Sequence, residues 1–145
     1  MPVVFTREEV RAVLACLEGT KWLVTSLLYG SGLRLHECLS LRIKDIDFGY
    51  RQITVRDGKG GKDRVTVLPA TLVEPLQRQI EKVCTFYGHD LRAGCGSVWL
   101  PHALARKYPN AAREMAWQFV FPAAKLSRDP VSGALRHHHL HVTVI

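Results

Sequence analysis

The sequence predicts an α+β fold that is mainly helical and carries a small three-stranded antiparallel sheet. Apolar residues recur at helical spacing in residues 6–18, 22–29, 33–41 and 71–87. Between the third and fourth of these segments, the short runs 43–48, 52–56 and 64–68 alternate in polarity or are rich in β-branched residues, as is typical of strands. The 145 residues suffice for one domain with a hydrophobic core.

The charge balance favours a polyanionic partner. The chain has 20 Lys and Arg against 13 Asp and Glu, which gives a net charge of +7. A positive net charge attracts polyanions, and the release of counterions strengthens their binding. Residues 96–145 hold 6 basic and 2 acidic side chains, together with five of the seven histidines. Because residues 1–95 hold 14 basic and 11 acidic side chains, the second part of the chain has the higher net positive charge per residue.

Cysteine spacing and hydropathy bear on the compartment. Four cysteines are scattered without C-x-x-C spacing, and we expect reduced, buried thiols at Cys16, Cys38, Cys84 and Cys95. No apolar run in the sequence reaches the roughly 18 residues that a membrane span requires. No signal peptide opens the sequence. We therefore expect a cytoplasmic protein with no membrane partner.

Three helices are predicted before the sheet. The first covers residues 6–18, where Thr6 and Glu9 fit the S/T-x-x-E capping box. A Gly-Thr pair breaks it, and a very apolar second helix follows at 22–29. A Gly-Ser-Gly turn then leads into the third helix at 33–41.

The sheet is predicted from three short runs. Residues 43–48 alternate in polarity, and two β-rich runs at 52–56 and 64–68 flank the sequence DGKGGKD. This pattern indicates a hairpin with a long cationic tip. A fourth helix is predicted at 71–87, in which Pro75 is tolerated only near the first turn.

Beyond residue 88 the pattern weakens. We predict a basic helical turn at 102–108, a segment of mixed period at 111–121 and a turn at 129–133. The chain then reaches a cluster of histidines within residues 136–141.

Arg34 is the first candidate for binding a phosphate. It follows a glycine turn and opens a helix, so its guanidinium can offer a fork of donors to two phosphate oxygens. Glu37 lies one turn later and fits two interpretations. It either forms an ordinary surface pair with Arg34 or fixes the rotamer of that arginine for function.

Lys59 is the second candidate. It occupies the glycine-flanked hairpin tip, from which a mobile ammonium can reach into a cleft. The pattern is not a P-loop, because the G-x-x-x-x-G-K-[ST] spacing is lacking. The alternative is a solvated hairpin. Lys62 and Arg64, which follow, are either contacts to a nucleic-acid backbone or simply exposed charges.

The histidine cluster and Trp117 each allow two interpretations. Adjacent histidines on a strand point to opposite faces, and no C-x-x-C or neighbouring carboxylate completes a tetrahedral zinc set. We therefore predict an exposed basic or stacking surface and no metal or other cofactor. Trp117 is either a core aromatic or a platform for a base. An H-x-x-R match at residues 89–92 is interpreted as a coincidence.

Residues 31–69, SGLRLHECLSLRIKDIDFGYRQITVRDGKGGKDRVTVLP, resemble the first half of the catalytic domain of tyrosine recombinases, the phage integrase family. The resemblance rests on an ordered set of motifs, G-[LM]-R-x-x-E-x-x-x-L, D-I-D and a G-K-G-x-K hairpin that ends in a strand and Pro. Residues 99–141, WLPHALARKYPNAAREMAWQFVFPAAKLSRDPVSGALRHHHLH, look like the insertion that marks integron integrases. Together the similarities cover nearly the whole chain.

The resemblance implies roles for the candidate residues. Arg34 matches the first catalytic arginine, which binds nonbridging oxygens of the scissile phosphate. Lys59 matches the hairpin lysine, which protonates the leaving 5′-oxygen or contacts a base beside it. Glu37 matches the acidic residue that supports the arginine. The family cleaves through a tyrosine that forms a 3′-phosphotyrosyl link and needs neither metal nor ATP.

The integron-integrase resemblance implies a second set of DNA contacts. In those enzymes the insertion grips extrahelical bases of a folded, bottom-strand recombination site. Trp117, Pro130, His138 and His139 match residues that line that grip, and Lys107 matches a basic residue of its helix. Stacking of one base is worth roughly 1–3 kcal/mol.

These matches set the expected organisation and function. Residues 1–95 match the first half of the catalytic domain and 96–145 the insertion. We expect the N-terminal core-binding domain, the second H-x-x-R and the nucleophilic tyrosine to be absent. The expected lineage function is site-specific DNA recombination of the integron-integrase type in the bacterial cytoplasm, at the nucleoid, with this chain alone inactive. The alternative is a noncatalytic remnant that binds recombination sites or full-length integrase, and self-association is expected.

Overall fold

The computed structural model describes residues 3–56, 62–130 and 132–145, apart from the side chain of His102. Its regular elements, in chain order, are α1 (Arg7–Ala15), α2 (Gly19–Ser31), α3 (Leu35–Leu39), β1 (Ile46–Asp47), β2 (Gln52–Val55), β3 (Arg64–Val67), α4 (Ala70–Arg92), α5 (His102–Lys107), β4 (Pro122–Arg128) and β5 (Leu135–His139). Short 3-10 turns lie between several of them. The α+β class predicted from the sequence is confirmed.

Helix α1 begins at the predicted capping box. The Thr6 hydroxyl accepts from the Glu9 N–H at 3.2 Å, and the Glu9 carboxylate accepts from the Thr6 N–H at 2.7 Å. Helix α2 starts at Gly19, earlier than predicted. Gly19 has a left-handed φ of 59°, so it turns the chain into the helix and does not merely end the previous one. Gly32, at a φ of 66°, ends α2 in the same conformation.

The remaining helices differ from prediction at their ends. Helix α3 is only five residues long, because Arg34 takes the N-cap in an extended conformation. Helix α4 is longer than predicted and contains Pro75 beyond its first turn. The proline removes one backbone donor, and the other turns of this 23-residue helix retain theirs.

The first sheet has the predicted three antiparallel strands in the order β1-β2-β3. Ile53 pairs with Ile46 on one side and with Thr66 on the other. The side chains of Ile53 and Val55 are fully buried, whereas Val65 and Val67 of the edge strand β3 are exposed. The inner face of this sheet therefore completes the main core.

A second sheet, which was not predicted from the sequence, pairs β4 with β5 in antiparallel fashion. Its register runs from Pro122 opposite His139 to Arg128 opposite Leu135, with an irregularity in between. Most of β4 is exposed and β5 is half-buried, so neither strand shows the alternation that marks a strand with one buried face. The predicted turn at 129–133 falls between them.

The main core joins both parts of the chain. Side chains from α2, α3, α4 and the first sheet pack with Val120 and Phe121, which are fully buried. A smaller cluster contains Trp117 and Phe119 with apolar residues of the 98–112 segment. Residues 96–145 are thus anchored on the first part through the segment around Phe121.

The burial of the cysteines and the length of the apolar helices can be compared with the expectations from the sequence. Cys38 is buried as expected and Cys95 is half-buried, but Cys16 and Cys84 are exposed. Cys16 is the C-cap of α1, a helix without buried residues, and the buried residues of α4 are Leu72, Leu76 and Val83. The expectation of buried thiols was wrong for those two. None of the helices in the described part of the chain is both long and apolar enough to cross a membrane.

Candidate functional site

Arg34 stands at the start of α3 with its guanidinium accessible. Its backbone N–H donates to Glu37 Oε2 at 2.8 Å, which caps the helix. The two side chains approach only to 4.0 Å, between Arg34 Nη1 and Glu37 Oε1. The Arg34 side chain is 62% exposed. Local structure therefore holds the backbone of this residue while its charged end remains available to a ligand.

Glu37 binds Arg64 far more closely than it binds the Arg34 side chain. Arg64 Nη1 and Nη2 donate to Glu37 Oε1 and Oε2 at 2.8 and 2.9 Å. These hydrogen bonds from Arg64 are the main cause that lowers the pKa of Glu37 to about 2, and the Arg34 N–H adds to it. Of the two interpretations of Glu37, the simple surface pair with Arg34 does not describe this geometry. The predicted contact of Arg64 with DNA stays a prediction.

A cleft of about 630 Å³ opens beside α3. Five residues that were singled out from the sequence line it together: Glu37, Trp117, Pro130, His138 and His139. The wall also carries Arg42, Arg56 and His36. The lining also includes the carboxylates of Asp45 and Asp129, so its two arginines face three acidic side chains. Residues separated by about a hundred positions in the chain thus converge on one concave surface of mixed charge.

Trp117 is both a core residue and part of the cleft wall. It is 8% exposed and packs in the smaller core cluster. The Lys44 ammonium lies 3.7 Å from the centroid of its ring, a close cation–π contact. Burial lowers the pKa of Lys44, and the neighbouring charge of Arg56 lowers it further. A base that stacks on the ring face covered by Lys44 therefore has to displace this ammonium.

His139 enters the cleft with a defined hydrogen-bonding character. Its Nδ1 lies 2.8 Å from the Leu140 carbonyl oxygen. A carbonyl can only accept, so Nδ1 carries the proton, and Nε2 of the neutral ring is an acceptor. The ring also makes edge-to-face contacts with His36 and Phe119, at centroid distances of 5.8 and 5.5 Å. These contacts hold an aromatic surface at the mouth of the cleft.

His137 does not line this cleft. Its Nε2 lies 3.3 Å from Asp90 Oδ2, and its Nδ1 lies 2.7 Å from the Ala123 carbonyl. Asp90 belongs to the H-x-x-R match, which forms the last turn of α4. In the structure, this segment contacts strand β5 of the second sheet through the Asp90–His137 pair. Among the described residues, no group of three or more His, Cys, Asp and Glu side chains is arranged to hold a metal ion.

Arg42, which was not singled out from the sequence, fastens the cleft wall. Its buried guanidinium donates to the carbonyl oxygens of Trp117 and Trp99, each at 2.7 Å. Its Cζ lies 4.4 Å from the Phe119 ring centroid. Burial lowers its pKa to about 10. An arginine inside the apolar run Leu-Ser-Leu-Arg-Ile is the signal that could have indicated this structural role.

Asp45 completes the same network. Its carboxylate accepts from the Arg42 N–H at 3.0 Å and from Arg56 Nε at 2.6 Å. Arg56 directly follows β2, at the base of the predicted hairpin. One buried carboxylate therefore connects the cleft wall with the strand that leads to the hairpin tip.

Lys62 and Lys107 lie apart from the cleft. Lys59 lies outside the described residues. Lys62 is exposed at the base of the returning hairpin strand. Lys107 is exposed at the end of α5, with its Nζ 5.4 Å from the Tyr108 ring centroid. The structure does not bring Lys62 or Lys107 into the cleft lining.

Comparison with known proteins places these features in a family. The phage integrase family model matches residues 4–141. An integrase/recombinase of Escherichia coli is 44% identical over 141 residues, which are 97% of this chain and 42% of that protein, and one of Pseudomonas aeruginosa matches equally well. The tyrosine recombinase XerA of Thermococcus onnurineus is 45% identical over 84 residues, which are 56% of this chain and 30% of that protein.

A solved structure agrees with the sequence relatives. The crystal structure of XerA recombinase superposes with a TM-score of 0.52 at 28% identity, covering 58% of this chain and 31% of that chain. The chain spans less than half the length of the curated relatives that it matches. The matched family model covers nearly all of the sequence, and the chain belongs to the phage integrase family of tyrosine recombinases.

Proposed function

We propose that this chain is part of the catalytic domain of a site-specific DNA recombinase of the integron-integrase type, with DNA as its partner. The observation that carries the proposal is the cleft beside α3. It gathers Trp117, Pro130, His138 and His139 next to Glu37, three residues from Arg34. In this proposal, Arg34 at the start of α3 binds a phosphate and the adjacent cleft receives an unpaired base.

The coverage of the relatives supports the integron-integrase type. The integrase/recombinase of Escherichia coli matches 97% of the chain, whereas the archaeal XerA relative matches 56%. A substantial segment is thus shared with one group of recombinases and not aligned in the other. An insertion that distinguishes a subtype produces this pattern.

At the phosphate, Arg34 binds the nonbridging oxygens and Lys59 acts at the leaving 5′-oxygen. Prepositioned cations stabilise the charge that develops on phosphorus in the transition state, and removal of one such donor costs about 2.7–4 kcal/mol. Lys62 and Lys107 contribute backbone contacts in this proposal. Such contacts strengthen binding without reading the sequence.

In the cleft, an extrahelical base packs against the aromatic wall. His139 offers its ring edge and an acceptor nitrogen, and Pro130 provides an exposed apolar face. Trp117 adds its ring once Lys44 has moved aside. Stacking of one base on such a surface contributes about 1–3 kcal/mol.

The test compares two DNA molecules of the same composition. One is a hairpin with extrahelical bases, folded from one strand of an integron recombination site, and the other is its fully paired duplex. We expect the chain to bind the hairpin about tenfold more tightly, in line with one stacked base. His139→Ala should remove this preference, and Arg78→Ala on the exposed face of α4 should leave it unchanged. Equal affinity for both molecules, falling together with salt, would contradict the base-binding proposal.

We further propose that the isolated chain binds sites without cutting them. None of its four tyrosines, at positions 29, 50, 87 and 108, lines the cleft in the described structure. Tyr87 instead donates its hydroxyl to the Arg113 carbonyl. A covalent protein–DNA adduct on a nicked suicide substrate, formed by this chain alone, would contradict this part of the proposal.

A further inference from the structure

We infer that Arg64 is a positioning residue that acts on Arg34 through Glu37, and that it is not itself a DNA contact. The inference rests on the proposed function, because it assumes that Arg34 binds a DNA phosphate. It changes the role that the sequence pattern suggested for Arg64.

The Arg64 guanidinium forms hydrogen bonds to residues that precede and follow Arg34 in the chain. Arg64 Nη2 donates to the Gly32 carbonyl oxygen at 3.3 Å and to Glu37 Oε2 at 2.9 Å. Gly32 precedes Arg34 by two residues, and Glu37 follows it by three. A single guanidinium therefore holds the backbone turn on one side of Arg34 and the capping carboxylate on the other.

One carboxylate oxygen is shared between the two arginines. Glu37 Oε2 accepts from both Arg64 Nη2 and the Arg34 N–H, at 2.9 and 2.8 Å. The position of the carboxylate that caps α3 is thus set by Arg64. When this carboxylate shifts, the Arg34 N–H no longer has its acceptor and the direction of the chain at Arg34 changes.

Arg64 also neutralises the charge of Glu37. An unneutralised Glu37 carboxylate would draw the Arg34 guanidinium into a close ion pair and would repel a phosphate. The two hydrogen bonds from Arg64 satisfy both carboxylate oxygens, and Arg34 Nη1 remains 4.0 Å from the nearer one. Arg64 therefore leaves the Arg34 side chain accessible and its charge available to an anion.

The position of Arg64 in the chain extends this role to the hairpin. Arg64 is the first residue of β3, the strand that returns from the predicted Lys59 tip, and it pairs with Val55 of β2. Two residues later, the Thr66 hydroxyl donates to the Ser31 carbonyl at 2.6 Å. The returning strand is thus tied twice to the segment that leads into Arg34. These hydrogen bonds fix the base of the hairpin relative to the arginine that is proposed to bind phosphate.

The test uses a substitution that keeps the charge and removes the fork. In Arg64→Lys the side chain stays cationic but cannot bind both carboxylate oxygens in parallel. We would measure binding of a fluorescent hairpin DNA by anisotropy for the wild type, Arg64→Lys, Arg34→Ala and the double variant. The matched control is Arg78→Lys, since Arg78 makes an exposed pair with Glu74 on α4, at 3.9 Å.

If Arg64 acts through Arg34, Arg64→Lys weakens binding about tenfold, the scale of one charge-assisted hydrogen bond. Arg34→Ala weakens it at least as much, and the double variant binds no worse than Arg34→Ala alone. The slope of log affinity against log salt also falls by about 1 in Arg64→Lys, although the net charge is unchanged, since Arg34 no longer engages its phosphate.

Two other results overturn the inference. A direct phosphate contact of Arg64 predicts that the lysine variant keeps nearly wild-type affinity and salt slope. A purely structural role predicts that Arg64→Lys weakens binding by the same factor in the Arg34→Ala background. Each variant is measured well below its own unfolding midpoint, and Arg64→Gln repeats the cycle. If neither Arg64 variant folds, Arg64 is a stability residue and the inference also fails.

A failure of the proposed function would look different. If the wild-type chain does not bind hairpin or duplex DNA at low salt, the assumption about Arg34 is removed before Arg64 is tested. If the wild type binds and only the coupling between Arg64 and Arg34 is missing, the proposed function stands without this inference.

Discussion

The Lys44 ammonium lies 3.7 Å from the centroid of the Trp117 ring and covers one face of an aromatic residue that lines the cleft. Contacts of this kind contribute about 0.5–2 kcal/mol, depending on how far the cation is desolvated. Burial is the main cause of the lowered pKa of Lys44, which indicates that the cation has given up part of its hydration. A base that stacks on this face of Trp117 must replace the contact.

We therefore expect Lys44→Met to increase the preference for DNA with extrahelical bases. The substitution opens the ring face, and removal of the positive charge weakens the attraction to bulged and paired DNA alike. The ratio of the two dissociation constants should rise about threefold to tenfold, matching the cation–π contact that no longer competes. An unchanged or reduced ratio would show that the base does not meet the face of Trp117 that Lys44 covers.

Arg42→Met should destabilise the chain by about 3 kcal/mol, because each buried polar group left without its hydrogen bond costs about 1–3 kcal/mol. The change removes the donors from the buried carbonyl of Trp117 and the partly buried carbonyl of Trp99, and it removes a positive charge near Asp45. Urea unfolding followed by far-UV circular dichroism measures the decrease in stability. Arg78→Met, at an exposed pair on α4, should change the free energy of unfolding by no more than about 0.5 kcal/mol.

Local signals explain which parts of the fold could be predicted. The capping box of Thr6 and Glu9 involves residues three apart, and the three-stranded sheet follows from alternation and a glycine-rich turn. The second sheet was missed because β4 and β5 do not each have one buried and one exposed face. Their pairing depends on tertiary packing, which periodicity does not encode.

The site was predictable only in part for a similar reason. The helix start at Arg34 and the cluster of His138 and His139 are visible in the sequence, and the structure shows that the histidines and Glu37 share a cleft. The partner of Glu37 was not predictable, since Arg64 lies 27 residues away on another element. The bond from Arg42 to the Trp117 carbonyl spans 75 residues. Such interactions follow from the fold and not from local spacing.

The depressed pKa of Glu37 predicts a specific response to acid. The pKa of the Glu37 carboxyl falls from 4.5 to about 2 on folding. Such a carboxyl stabilises the native state at pH values above its pKa in the unfolded chain. This contribution disappears as the pH falls through the window from about 4.5 to 2. Glu37→Gln should therefore be less stable than the wild type by a constant amount above about pH 5.

The same comparison should converge in acid. Below pH 4.5 the difference between the wild type and Glu37→Gln should shrink, because the wild-type carboxyl becomes protonated as the protein unfolds. Urea titrations at a series of pH values measure both curves. A difference that persists unchanged down to about pH 2.5 would show that the Arg64 hydrogen bonds do not stabilise the charged carboxylate.

Phe121→Ala should test whether residues 96–145 fold together with the rest of the chain. Phe121 is fully buried in the main core, its carbonyl accepts from the Leu140 N–H at 2.8 Å, and the adjacent Val120 N–H donates to the Leu41 carbonyl at 2.9 Å. Removal of a buried phenylalanine costs about 3–5 kcal/mol. Leu135→Ala, at an exposed position of β5, is the matched control and should cost much less.

Because Phe121 belongs to a core that both parts share, the substitution should shift one cooperative transition. Far-UV circular dichroism and tryptophan fluorescence should report the same midpoint, since Trp22 packs against the main core and Trp117 lies in the smaller cluster. If the fluorescence midpoint fell while the helical signal kept its wild-type midpoint, residues 96–145 would be unfolding separately. The side of the cleft formed by residues 96–145 would then unfold independently. The affinity of the cleft for DNA would depend on the fraction of molecules in which this side is folded.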